Sequence, residues 1–349
     1  MEAKLKLEKI SQKLKKLNMV NVVKHIPNER VRNWILPRLY YYFNLKPTML
    51  MLDVTSKCNS ACPFCPRTLQ GIRGTNMAPE VFYKAVDEAS AMGMRECRLY
   101  TTGEPLLHPN IDEFIRYLKR KKFNILISTN GQFLDKHFEA LSLCDEVKLS
   151  IEGWDKESYE FYRKNCDFEK VQNNLIEFRK YLADKPHKPQ VTIGFMIMKE
   201  TGVPQFYLTW RDKADRIDIY PTSYVFDWDN KESIQYLSFD GNKRLKDNMY
   251  NYAYDNRGSK YCSYHFEVAT VTANGNGAIC CSDFTDSITY GNLKDVSLKS
   301  ILNHPKRKAG QKQFVQQKLD VCAGCSMFSK MDAASEKDYN AKVKDYVGQ

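Results

Sequence analysis

The chain has 349 residues, 43% of them hydrophobic and 27% charged, enough for one large core and a smaller second unit. No apolar run approaches the length of a membrane span, and no N-terminal apolar h-region with a cleavage site is recognisable. Eleven cysteines, odd in number and clustered, are not a disulfide framework, so a reducing cytoplasm is the expected location.

The net charge of +11 suits nucleic acid, anionic lipid or phosphorylated ligands. Much of the excess is local: Lys4, Lys6, Lys9, Lys13, Lys15 and Lys16 alternate with Leu5, Leu7, Ile10, Leu14 and Leu17. Residues 1–47 therefore read as a basic amphipathic helical extension that packs on the core with a solvated lysine face. A weak membrane-surface contact is the alternative. The aromatics form no recognisable RNA-binding module, so nucleic acid is not expected as a partner.

From residue 48 strand-like and helix-like segments alternate. Strands are predicted over 49–55, 96–102, 124–129, 146–151, 191–198 and 216–220. Helices are predicted at about 79–92, 110–121, 135–143, in a long region ending near 182, and at 203–214. Six β–α units of this regularity predict an α/β fold with a parallel sheet covered by helices. Right-handed crossovers curl such a sheet into a partial (β/α)6 TIM-like barrel.

The informative residues stand at the C-terminal ends of those strands, where barrels carry their chemistry. The run Cys58-Asn59-Ser60-Ala61-Cys62-Pro63-Phe64-Cys65 follows the first strand. Three closely spaced thiolates can hold three corners of a 4Fe–4S cube and leave the fourth iron open to a small molecule. A structural zinc site takes four ligands in clipped pairs, and no fourth Cys or His stands nearby. Thr102-Gly103-Glu104-Pro105 ends the second strand, Ser128-Thr129-Asn130-Gly131 the third, and Ser150-Ile151-Glu152-Gly153 the fourth.

Cysteines return in a smaller C-terminal unit over residues 255–330, followed by a tail over 331–349. Cys262 and Cys280 flank a hairpin-like run from Val271 to Cys280, and Cys322-Ala323-Gly324-Cys325 is a tight clip. These four thiolates can ligate a closed 4Fe–4S cluster or a zinc ion, and the chemistry alone does not choose. Cys281 reads as a spare buried thiol, and Cys97, Cys144 and Cys166 as core or incidental residues. The segment 220–236, with Tyr224, Phe226, Asp227, Trp228 and Asp229, suits stacking on a sugar ring and equally a loop core.

The first motif, with Phe64 just before its last cysteine, resembles the signature of the radical S-adenosylmethionine superfamily. The resemblance covers residues 48–245. It implies that the open iron chelates the amino and carboxylate groups of S-adenosylmethionine. Reductive cleavage then gives a 5′-deoxyadenosyl radical that abstracts hydrogen from substrate. Phe64 would lie against the adenine. Thr102-Gly103-Glu104 resembles the family's Gly-Gly-Glu motif, with Thr in the first place, and would receive the methionine ammonium. Ser128 and Ser150 occupy positions of ribose or carboxylate ligands. Arg163 falls where relatives carry an arginine for the methionine carboxylate, with a surface ion pair as its other reading.

The spacing from Cys262 through Gly275 to Cys280 resembles the opening of a SPASM auxiliary-cluster domain. Lacking the further cysteines of the full domain, the chain is similar to the shortened twitch form, with one auxiliary 4Fe–4S cluster on Cys262, Cys280, Cys322 and Cys325. The resemblance implies dehydrogenation or epimerisation of a sugar- or cyclitol-like small molecule, with the auxiliary cluster as electron acceptor. An external donor such as flavodoxin or ferredoxin would supply the reducing electron. A peptide maturase of the SPASM type is the alternative, and a zinc-containing RNA-binding protein a third reading. No catalytic base stands out in the sequence.

Overall fold

Strands whose alternate residues are apolar must bury one face and leave the other polar. Here they do so in a computed structural model that describes residues 19–220 apart from 70, 73 and 197–202, residues 262–316 apart from 282, 284 and 285, and a few short segments elsewhere. Six strands, β1 (Met49–Leu52), β2 (Glu96–Leu99), β3 (Asn124–Thr129), β4 (Glu146–Ser150), β5 (Gln190–Met196) and β6 (Arg216–Tyr220), pair in sequence order and all in parallel. Leu50, Leu52, Leu99, Ile127, Leu149 and Phe195 enter one core with Phe82, Phe114 and Phe178 from the covering helices. Arg98, Ser128, Lys148 and Ser150 lie on the intervening, half-buried positions.

The helix Pro79–Ala91 starts on a proline, which costs nothing where no intrahelical N–H bond is due, and buries Val81, Phe82, Ala85, Val86 and Ala89. The helix Ile111–Arg120 buries Ile111, Phe114, Ile115 and Leu118, the face expected from its sequence. The Phe82 and Phe114 rings stack between the two helices, centroids 3.7 Å apart.

Two helical expectations change. The helix expected over 135–143 is a 3-10 turn, Leu134–Lys136, and a four-residue helix, Phe138–Leu141. The long helical region ending near 182 is two helices, Lys156–Tyr162 and Phe168–Leu182. Asp155 and Asp167 each cap a new start, accepting from Ser158 N and Lys170 N at 2.8 Å, the preferred use of a short carboxylate. Asn165 turns the chain between them at φ 68°. The break leaves Arg163 at a helix end, free to aim at the sheet.

Beyond β6, β7 (Val225–Asp227) and β8 (Glu232–Ile234) form a small antiparallel ribbon, and β9 (Tyr254–Asp255) pairs with β13 (Lys330–Met331). The rest of the 220–236 segment lies outside the described residues. β10 (Val268–Val271) then pairs in parallel with β1, in register Met49 to Val268 through Leu52 to Val271. β11 (Asn276–Ala278) and β12 (Thr289–Asn292) follow in antiparallel sense. The expected hairpin is present, and Gly275 supplies its φ of 89°, a conformation glycine adopts without steric cost. One open sheet results, in the order β12-β11-β10-β1-β2-β3-β4-β5-β6. The cysteine-rich unit, read from sequence as separate, thus shares backbone hydrogen bonds with the barrel, and its Tyr290, Leu293, Leu298 and Ile301 join the same core.

The helix Glu29–Tyr42 packs on this C-terminal unit. Tyr40 clusters with Cys262, Phe266, Phe314 and Val315, and Lys24 Nζ pairs with Glu267 Oε2 at 2.5 Å. The lysine-rich residues 1–18 lie outside the described residues. No helix among those described is long and apolar enough to cross a membrane.

Because β10 borrows its partner from β1, the two should unfold as one unit. Native-state hydrogen exchange is expected to give the amides of 268–271 the same opening free energy as those of 49–52. Earlier exchange of 268–271 would show an independently fraying C-terminal unit.

Candidate active site

The C-terminal ends of β1 to β5 open onto one cavity of about 330 Å³. Its wall contains Cys58, Cys62, Cys65 and Phe64 from the loop after β1, and Thr102, Gly103 and Glu104 from the turn after β2. Ser128 and Ser150 from β3 and β4, and Arg163 from the helix end, complete the expected set. Every residue singled out for the first site therefore meets in one place. Tyr100, Glu152, Asn130, Arg67 and Met196 also line the cavity, and sequence reasoning had not selected them.

Backbone contacts fix the cysteine loop against the β2 turn. Glu104 N donates to Lys57 O at 2.8 Å. A Cβ on Gly103 would stand 2.2 Å from Thr55 O and 2.5 Å from Lys57 O, so only glycine lets the two backbones approach this closely. Asn130 Nδ2 donates to Asn59 Oδ1 at 2.8 Å, and Ser60 Oγ donates to Lys164 O at 3.1 Å.

Glu104 is 3% exposed and accepts from three donors: Thr129 Oγ1 at 2.6 Å, Asn130 N at 2.7 Å and Leu106 N at 3.1 Å. It therefore caps the short turn Pro105–Leu107 and joins β2 to the end of β3. Burial pushes its carboxyl above the ordinary range, while these donors pull it back.

Arg163 is not a surface residue. Its guanidinium pairs with the fully buried Glu152, approaches Cys62 Sγ at 3.6 Å through Nη1 and lies 5.6 Å from the Phe64 ring centroid. Burial works against its charge, but Glu152 and the Cys62 sulfur outweigh that and hold it protonated. The signal for Glu152 was present in the strand-end run Ser150-Ile151-Glu152-Gly153; a carboxylate at a strand end needs a named cation before it reads as part of a site. Ser128 Oγ and Ser150 Oγ stand 3.4 Å apart, side by side on adjacent strands.

The three thiols of the motif are enclosed. Burial, with Glu104 and the neighbouring sulfurs adding to it, pushes Cys58 up to about 12, and burial also raises Cys65. Such thiols ionise when a group of high positive charge sits among them. Three soft sulfur donors facing one cavity, with no fourth cysteine and no histidine among the described residues that line it, suit an iron–sulfur cluster with an open iron. Asp53, at the end of β1 and 3% exposed, accepts from Thr102 N at 3.1 Å. Burial lifts its carboxyl to about 6, opposed by that bond.

Of the second cysteine set, Cys262 is buried at the start of the helix Ser263–Phe266, and Cys280 is half-buried just past β11. Cys322 and Cys325 lie outside the described residues. Cys281 is half-buried beside the Tyr264 phenol, which it helps to keep protonated. Tyr264 in turn neighbours Tyr100 on the cavity wall. Cys97 and Cys144 are buried in the core, as expected. Cys166 belongs to the core too, but its sulfur accepts from Asn59 Nδ2 at 3.7 Å and so touches the cysteine loop.

Residues 52–202 match the family model of the radical SAM superfamily, and residues 262–326 that of SPASM, an iron–sulfur cluster-binding domain. The chain carries a radical S-adenosylmethionine domain followed by a C-terminal SPASM domain. It is therefore an enzyme whose cofactors are S-adenosylmethionine and a 4Fe–4S cluster, with an auxiliary iron–sulfur cluster in the SPASM domain. A GTP 3′,8-cyclase of Chlorobaculum tepidum is 33% identical over 128 residues, 36% of this chain and 38% of that one, so the match spans little more than a third of the relative. The solved structure of tagged anSMEcpe with bound AdoMet aligns with a TM-score of 0.57 at 19% identity, over 86% of this chain and 96% of that one. Streptococcus suis SuiB bound to precursor peptide SuiA aligns with a TM-score of 0.57 at 14% identity, over 85% and 73%. At these identities the two structures show the radical SAM enzyme's fold alone.

The three donors on Glu104 make a direct prediction. Glu104→Gln places an amide N–H₂ against one of them, and urea unfolding of the metal-free protein should give a stability lower by about 1–3 kcal/mol. A change under about 0.5 kcal/mol would mean that the bridge between β2 and β3 does not hold the site.

Proposed function

We propose that this radical SAM enzyme removes a hydrogen atom from a sugar- or cyclitol-like small molecule in a net two-electron oxidation or an epimerisation. The observation that carries the reading is the convergence of the cysteine motif, Glu104, the two strand-end serines and Arg163 on one cavity. Cys58, Cys62 and Cys65 would hold the 4Fe–4S cluster, and Cys262, Cys280, Cys322 and Cys325 the auxiliary one. When bound, the first cluster with S-adenosylmethionine supplies a 5′-deoxyadenosyl radical for hydrogen abstraction, and the second offers an acceptor for the remaining electron.

The chain's own residues bind and orient. Thr102, Gly103 and Glu104 present backbone and carboxylate oxygens to the methionine ammonium, a charge-assisted bond in a desolvated site. Arg163, held rigid by Glu152, offers its remaining donors to the methionine carboxylate. Phe64 gives the adenine a flat apolar surface. Ser128 and Ser150, with hydroxyls 3.4 Å apart, can each hydrogen-bond one hydroxyl of the ribose. The tight packing of the cysteine loop on the β2 turn holds the three thiols in place beside these groups.

Anaerobically reconstituted protein should bind about eight irons per chain, as two 4Fe–4S clusters require, and release 5′-deoxyadenosine when strongly reduced. Replacing Cys58, Cys62 and Cys65 together with Ala should abolish that release; retained cleavage would contradict the ligand assignment. Replacing Cys322 and Cys325 with Ala should roughly halve the iron and leave some cleavage. Zinc at the second site in the wild-type protein would contradict the role of electron acceptor.

A further inference from the structure

We infer that Arg98 binds an oxyanion carried by the substrate, a carboxylate or a phosphate, and so sets which C–H bond faces the cavity. The inference rests on the proposed hydrogen abstraction from a small molecule and narrows its substrate class to an anionic one. Along β2 the side chains alternate: Cys97 and Leu99 enter the core, so Arg98 and Tyr100 share the opposite face. Arg98 Nη1 donates to Tyr100 Oη at 3.1 Å, and Tyr100 lines the cavity. Arg98 itself stands behind the wall, joined to it through the Tyr100 side chain.

Three other cations on this side of the sheet are matched by carboxylates. Lys148 pairs with Asp218 at 2.8 Å, Arg216 with Glu146 and Asp218 at 2.8 Å each, and Arg163 with Glu152. Arg98 makes no ion pair among the described residues, and the Tyr100 phenol is its one hydrogen-bond acceptor there. Glu96, exposed at the start of the strand, and Tyr264 are the further titratable groups that face it. Arg67, on the cavity wall, has its Nε committed to Ser56 O at 2.7 Å.

Among the described residues the half-buried Arg98 guanidinium meets no carboxylate at ion-pair distance and spends one N–H donor on Tyr100, which leaves most of its fork for a ligand. A planar fork of donors fits a carboxylate or phosphate better than any other ligand group. Radical abstraction is specific only if the substrate is held in one orientation, and an anion fixed at one end supplies that constraint.

The test is isothermal titration of the reconstituted, S-adenosylmethionine-loaded protein with inorganic phosphate and, separately, acetate. The wild type should bind one or both ions saturably at one site per chain, and the tighter of the two identifies the phosphate or carboxylate class. Arg98→Gln should weaken that binding at least about tenfold, the size of a lost charge-assisted hydrogen bond. Arg98→Lys, which keeps the charge but not the fork, should fall between the two. No saturable binding of either ion to the wild type, or equal binding by Arg98→Gln, would overturn the inference. Release of 5′-deoxyadenosine by the wild type with neither ion present tests the cofactor-cleaving reading separately, so either can fail without the other.

Discussion

The site depends on a buried carboxylate that ties two strands and a loop together. Glu104 accepts from Thr129 Oγ1 and Asn130 N at the end of β3, while its own backbone N–H is held by Lys57 O in the cysteine loop. Parallel strands bring their C-terminal ends together but do not fix the loops that leave them. A carboxylate too buried to be hydrated must find donors, and here they come from the neighbouring strand end. Gly103, pressed against the backbone of Thr55 and Lys57, sets the distance. Asn59 and Asn130 close the other side. The chain's own hydrogen bonds therefore shape the cavity, the kind of support that a site for reactive chemistry needs.

The open sheet explains how two cysteines of the second set come to flank strands that continue the barrel sheet. The barrel stops at β6, which leaves β1 with an unpaired edge, and β10 takes it. The chain reaches β10 through Cys262 and leaves β11 at Cys280, so both flank strands that extend the catalytic sheet. Tyr264, two residues past Cys262, neighbours Tyr100 on the cavity wall. An edge strand must be paired or covered in any case. In this chain that requirement also ties Cys262 and Cys280 to the barrel sheet.

Much of this was legible in the sequence, for identifiable reasons. The regular succession of strand-like and helix-like segments located all six parallel strands to within a few residues, and the helix Ile111–Arg120 lies within the stretch expected over 110–121. The cysteine spacing and Thr102-Gly103-Glu104 needed no tertiary information, because each is local. What was not legible depends on partners far along the chain. Arg163 reads equally well as a surface ion pair until Asp167 breaks the helix and Glu152 receives it. Glu152 and Tyr100 have no local signature; they matter because the strands' C-terminal ends converge. The pairing of β10 with β1 joins residues more than two hundred positions apart and leaves no trace in either segment. Cys166 looked incidental because its contact with Asn59 exists only across the folded loop.

The central claim is that three cysteines of one loop present an open iron to S-adenosylmethionine inside this preformed cavity. Electron paramagnetic resonance of the reduced, reconstituted enzyme, recorded with and without S-adenosylmethionine, tests it most directly. The account predicts a 4Fe–4S signal whose line shape changes when S-adenosylmethionine is added, and loss of that responsive component when Cys58, Cys62 and Cys65 are replaced. A signal indifferent to S-adenosylmethionine, or one that survives the replacement and still responds, would contradict it.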